Sequence, residues 1–144
     1  GVPVVVHQEA AFADELERAL RSAPDTQFVW AHVGHGPAGT ARSLLARYPN
    51  LHADLSARTP WLGPGTVLTR LDGTLQPEWA ALLSEFPDRF TIGLDMFAPQ
   101  HYRPDHVRNT VQYYRGLLGQ LDPTAAEAIA YRNAERLAPF RLPE

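Results

Sequence analysis

The chain has 144 residues, a formal net charge of −3, 44% hydrophobic residues and 20% charged residues. That length suits one compact domain with a real core, and the balance excludes both a disordered chain and a polyanion-binding surface, so nucleic acid is not expected as a partner. All 13 basic residues are arginine and cysteine is absent, which excludes a lysine Schiff base, a carboxylated-lysine metal bridge, disulfides and thiolate chemistry from this segment.

No apolar run approaches the roughly 20 residues of a membrane helix and no secretory leader is visible, so the cytoplasm is the expected compartment and no membrane partner is expected. The chain starts Gly1-Val2-Pro3-Val4, without methionine and already apolar, and reads as cut from something longer. Residues 2–7, VPVVVH, are β-branched and nearly continuous in hydrophobicity, which predicts a parallel strand buried on both faces and ending at His7. Phe12, Leu16, Ala19 and Leu20 then recur at helical spacing among charged residues, until Pro24-Asp25 closes an amphipathic helix of about three turns. The pair repeats with a strand over 28–32, FVWAH, and a helix over 41–48 prepared by Gly36, Pro37 and Thr40.

Residues 51–56, LHADLS, alternate as a strand. The stretch 59–76 is rich in Gly, Pro and Thr and reads as a functional loop. Pro77 opens a helix over 77–86, residues 90–95, FTIGLD, read as a fourth buried strand, and two helices follow over 105–118 and 123–137, the second with Asp122 as N-cap and Pro123 at its first position. The order β-α-β-α-β-loop-α-β-α-α, at spacings of roughly 25 to 40 residues, is that of βαβ units.

In such a fold every strand's C-terminal end lies on one face, and that face holds the site. There stand His7, His32, Asp54 or Ser56, and Asp95. Two imidazoles and a carboxylate suit a borderline divalent ion, zinc first, with manganese and iron as alternatives. Glu9 either faces the same site or sits in solvent at a helix start. His35, in a G-H-G turn, is placed to approach a substrate, and Arg58 is either a fork for a substrate carboxylate or phosphate or a solvated loop arginine. Trp61, Phe97 and Tyr102 either wall an apolar pocket or pack over the rim, and His52, His101 and His106 are given no chemistry. A nucleotide-binding α/β domain is disfavoured, because no G-x-G-x-x-G follows a strand and no phosphate loop with lysine exists.

VVVHQEA (4–10), WAHVGHG (30–36), DLS (54–56), DRFTIGLD (88–95) and AIAYRNAERL (128–137) resemble, in order and spacing, the C-terminal half of the metal-dependent amidohydrolase family, in its amidohydrolase-2 branch. The resemblance implies an α/β fold that is the C-terminal half of a (β/α)8 TIM barrel, four parallel strands with flanking helices. The N-terminal half-barrel would then be absent, along with the family's H-x-H pair, which occurs nowhere in these residues. It further implies His7 as a metal ligand, His32 as the acid/base or a second-metal ligand, and Asp95 as a metal ligand or the base that activates metal-bound water; Glu9, His35 and Arg58 remain the candidates for the substrate side. The implied activity is metal-dependent hydrolysis of a small carbonyl-type substrate by activated water. The alternatives are a non-oxidative decarboxylase of the same family, or a catalytically silent half-barrel that pairs with a missing half or with another copy.

Overall fold

The computed structural model describes residues 2–62 and 67–138, and among these four short strands form one parallel sheet in the order β1-β2-β3-β4. The elements are β1 Val4–Val6, α1 Ala13–Ser22, β2 Phe28–Trp30, α2 Ala38–Arg47, β3 Leu51–Asp54, α3 Pro77–Glu85, β4 Phe90–Thr91, α4 Pro104–Leu118, α5 Pro123–Glu127 and α6 Asn133–Leu137. Phe28 pairs with Val4 and Leu51, and Ala53 pairs with Phe90, so sequence neighbours are sheet neighbours and all C-terminal ends emerge on one side.

The side-chain period of two explains the layering. Phe28, Trp30, Leu51, Ala53 and Phe90 point to one face and join Leu16 and Leu20 of α1, Ala41, Leu44 and Leu45 of α2, and Trp79, Leu82 and Leu83 of α3 in a single core. Val5, Val29, His52 and Asp54 occupy the opposite face. There no helix covers β1, so Val5 is 67% exposed. The expectation that residues 2–7 are buried on both faces is therefore corrected: β1 is an edge strand with one uncovered face, and its hydrophobic run reflects a surface left open in this chain.

The strands also stop earlier than their hydrophobicity suggests. β2 ends at Trp30 and β4 at Thr91, so His32 and Asp95 lie beyond the strands, in left-handed backbone at φ 58° and 48°. For β2 the left-handed turn that begins at His32 keeps the ladder from continuing. Helix α2 begins at Ala38, three residues ahead of the expected start, because Pro37 supplies an extended N-cap. In the expected loop 59–76, Pro60–Leu62 form a short helical turn and Thr69 bridges Leu75 in antiparallel fashion, while 63–66 lie outside the described residues.

The expected helix over 123–137 is continuous but contains a π turn over Ala128–Arg132. Asp122 caps it as expected, accepting from Thr124 N at 2.9 Å. The π turn meets the free edge of β4. Arg89 O and Thr91 O face β3, accepting from Ala53 N and Leu55 N, so Ile92 N and Phe90 O point away from the sheet. Ile92 N donates to Ile129 O at 3.3 Å, and the Asn133 amide donates to Phe90 O at 2.7 Å and Pro87 O at 2.8 Å. A helix thus satisfies an edge that would otherwise stand open. Among the described residues no helix is long and apolar enough to cross a membrane.

Candidate active site at the strand ends

Left-handed backbone in non-glycine residues occurs, among the described residues, at His32, Val33, His35, Ala57 and Asp95. All five follow the C-terminal ends of β2, β3 and β4. With Gly34, residues 32–35 make a continuous left-handed turn, a conformation that disfavours a β-branched residue such as Val33 by roughly 1–2 kcal/mol. The turn persists because its surroundings over-determine it. The Val33 side chain is wholly buried, Trp30 Nε1 donates to Gln8 O at 2.6 Å, and a Cβ on Gly34 would collide with the Trp30 indole. Strain of this kind collects where a side chain must be aimed.

The aimed side chains are imidazoles. The His32 ring stacks on His35 at 4.8 Å between centroids and meets His7 edge-on at 5.1 Å. His32 is 6% exposed. Its Nε2 lies 4.0 Å from Asp95 Oδ2, and its Nδ1 lies 2.7 Å from Ser56 Oγ and 3.2 Å from Ser56 O. Glu9 Oε1 approaches His35 Nδ1 at 3.3 Å.

The hydrogen-bond pattern assigns the tautomer of His32. Asp54 Oδ1 accepts from Ser56 N at 2.8 Å, from His32 N at 3.2 Å and from the Ser56 hydroxyl. The one hydroxyl proton of Ser56 is thereby spent on Asp54, so Ser56 Oγ accepts from His32, and Ser56 O only accepts. Nδ1 therefore carries a proton, and Nε2 is the ring nitrogen turned toward Asp95. The 4.0 Å between Nε2 and the carboxylate is longer than a direct hydrogen bond and leaves room for a bridging group. Gly93 makes the packing of this relay feasible, since a Cβ there would come within 2.8 Å of Ser56 Cβ and 3.3 Å of Asp54 Oδ1.

Five of the six expected site residues, His7, His32, His35, Glu9 and Asp95, are thus gathered at the strand ends. Among the described residues, however, no three His, Asp or Glu side chains are grouped so as to hold a metal ion by themselves. The donor set, imidazole nitrogen and carboxylate oxygen, is of the type zinc accepts. Of the two expected alternatives for Arg58, the solvated loop arginine is contradicted. Arg58 is 1% exposed, its guanidinium lies 4.4 Å over the Trp79 ring, and Nη1 donates to His32 O at 3.2 Å and Gly36 O at 3.0 Å. It grips both ends of the left-handed turn, so it is no solvated loop arginine, and its fork does not reach the His32–Asp95 gap.

Asp54 and Ser56 were legible only as strand-end residues. Their role in fixing the His32 ring depends on a cross-strand contact that D-x-S spacing does not specify. Trp61, Phe97 and Tyr102 are 46%, 76% and 62% exposed. Trp61 and Phe97 line, with Asp95, His101 and His106, a small cavity of about 80 Å³.

The family model for Amidohydrolase, in the Amidohydro_2 branch, matches residues 1–140. Among solved structures, an amidohydrolase from Burkholderia multivorans with bound HEPES superposes with a TM-score of 0.57 at 16% identity, over 92% of this chain and 51% of its own. A form of the Burkholderia multivorans amidohydrolase with bound zinc gives 0.56 at 16% identity, over 92% and 51%. Amidohydrolase 2 from Bifidobacterium longum subsp. infantis gives 0.54 at 15% identity, over 95% and 49%. The chain spans about half the length of these structures, and its four βα units have the fold of half a (β/α)8 barrel. No curated protein matches the chain.

Proposed function

This chain belongs to the amidohydrolase family, and we propose from that premise that it carries the C-terminal half of a metal-dependent hydrolase site acting on a carbonyl-type bond of a small molecule. The observation that carries this reading is the aim of His32: a buried imidazole, held in strained backbone, with Nδ1 engaged by Ser56 and Nε2 facing Asp95.

His7 and Asp95 would hold part of the ligand set of a divalent ion, zinc first, the remaining ligands coming from the complementary half-barrel, while His32 keeps Nε2 for proton transfer. When bound, such an ion supplies Lewis-acid polarisation of a carbonyl and lowers the pKa of a water molecule. The chain's own residues do the rest. Ser56 and Asp54 keep the proton on Nδ1, so His32 Nε2 is the atom that accepts a proton and returns it to a leaving group. Asp95, one-third exposed, stands 4.0 Å away and would exchange that proton through one bridging water. Glu9 and His35, paired at 3.3 Å, stand on the substrate side.

The test is zinc retention after equilibration and desalting, read by elemental mass spectrometry on the site assembled with the complementary half-barrel and on the same assembly carrying His7→Ala/Asp95→Ala. Zinc held by the first and lost from the second is expected, and equal zinc in both removes these residues from the ligand set. In the assembled site, ester, lactone or amide hydrolysis is expected, whereas carbon dioxide released from an aromatic acid would replace the hydrolase by a decarboxylase.

A second reading, an assembly module, is favoured by one observation: Val2, Val4 and Val5, on and before the open strand β1, are 87%, 43% and 67% exposed. Pairing there with a missing half or another copy would cover them. A monodisperse monomer by light scattering at every concentration counts against it.

A further inference from the structure

Behind the turn that carries His32 and His35 lies a cavity of about 320 Å³ whose wall combines two sources of positive potential. The first is Arg58. Its Nη1 is engaged by two carbonyls, its Nε has no hydrogen-bond partner, and among the described residues it forms no ion pair. Burial pulls its pKa down to about 10, so it stays charged at neutral pH while lacking a counter-charge. An uncompensated buried cation is unfavourable unless an anion joins it.

The second source is the N-terminus of α2, a helix of 10 residues. Its N-cap, Pro37, has no side chain that accepts a hydrogen bond, and the ladder begins with Thr40 N and Ala41 N on Pro37 O. Among the described residues the N–H groups of Ala38 and Gly39 have no acceptor, and the positive end of the helix dipole lies behind them. Gly39 opens onto free space, since a Cβ there meets nothing within 4 Å. The lining includes His35, Gly36 and Gly39 as well as Arg58. Its acid, Glu78, is exposed and sits in the first turn of α3, whose own dipole favours it there.

We propose that this cavity is an oxyanion subsite, taking a phosphate or carboxylate group on the N-terminus of α2 with Arg58 behind it and His35 beside it. Its use as an anchor for the substrate rests on the hydrolase reading, but its binding of an anion does not.

The experiment titrates the 144-residue chain with inorganic phosphate and, separately, acetate, at constant ionic strength in chloride. The amide resonance of Gly39 and the thermal midpoint are the readouts. A saturable shift and a rise in midpoint with at least one anion are expected, and the anion that acts identifies the group. Arg58→Met is expected to weaken binding at least tenfold. Gly39→Asp guards against misfolding of that variant, because it enters open space and places an acid where a helix start favours one. It should bring its own carboxylate to the subsite and abolish the anion-dependent rise in midpoint. No saturable response to either anion, or a response unchanged in both variants, overturns the proposal. So does a response lost in His7→Ala/Asp95→Ala, which would move the anion to the histidine cluster. Zinc retention that fails while phosphate binding persists removes the proposed reaction and leaves the subsite standing.

Discussion

His32 answers to two neighbours at once, and each constrains a different ring nitrogen. Ser56 Oγ accepts a hydrogen bond from Nδ1 at 2.7 Å and Asp95 stands 4.0 Å from Nε2. Nitrogen-15 NMR at neutral pH is expected to report the Nδ1–H tautomer for His32, and an Nε2–H signal would dismantle the proposed proton path. Gly93→Ala should act on the same ring without touching it, because the added methyl would meet Ser56 and Asp54. The expected outcome in an assembled site is a loss in kcat of about 10²-fold, the usual scale for a displaced acid/base group, with thermal stability falling far less. The histidines and Asp95 were legible because polar residues closing apolar runs are chemically conspicuous. Gly93, Ser56 and Asp54 as a relay were not, because their contact joins two strand ends 37 residues apart in the chain.

At the scale of an element, the left-handed turn over 32–35 is the feature the sequence concealed. Hydrophobic pattern reads FVWAH as five residues of strand, yet the ladder ends at Trp30. Turn geometry there is set by packing: buried Val33, Trp30 bound to Gln8 O, and Arg58 bridging His32 O and Gly36 O. Gly34→Ala should therefore destabilise by about 3 kcal/mol or more in urea unfolding, combining the left-handed penalty with a clash against the Trp30 indole. Gly73, also left-handed at φ 83° but with open space around it, is the control, and Gly73→Ala should lose only about 1 kcal/mol. Similar losses in both would mean that the Trp30 collision relaxes. The last helix makes the complementary point, since Asn133 serves two backbone carbonyls from a fully buried position. Asn133→Ala should lower stability by about 2–3 kcal/mol, the scale of two buried carbonyls losing their donor.

For the whole molecule, the uncovered sheet face has a pH signature. His52 projects onto it, with Nε2 3.0 Å from Gln27 Oε1 and Nδ1 buried without a partner. Burial, assisted by Arg89, lowers its pKa from 6.5 to about 4. Between those values the unfolded chain binds more protons than the folded one, so stability rises with pH across the window and is lost as pH falls from about 6.5 to 4. Allowing for the partial exposure of the ring, the loss is about 1–2 kcal/mol, and His52→Gln should flatten that part of the profile in chemical denaturation. An unchanged slope in the variant would assign the acid sensitivity to other groups. The two edges of the sheet also differ: the free edge of β4 is served by Ile129 O and Asn133, whereas β1 keeps an exposed Val5.

The order of elements, the parallel sheet they imply, and the family were determined by the sequence alone, because hydrophobic periodicity, Pro and Asp at helix starts, and strand-end histidines are local properties that survive without neighbours. Helix starts at Pro77 and Pro123 fell where the residues indicated. Only the tertiary structure decided where strands stop, which face of β1 stays open, that His32 Nδ1 is engaged by Ser56, and that Arg58 is buried without an ion pair among the described residues. Each of these depends on which distant backbone or side chain arrives to satisfy a polar group or exclude water, and the chain specifies that only once it is folded.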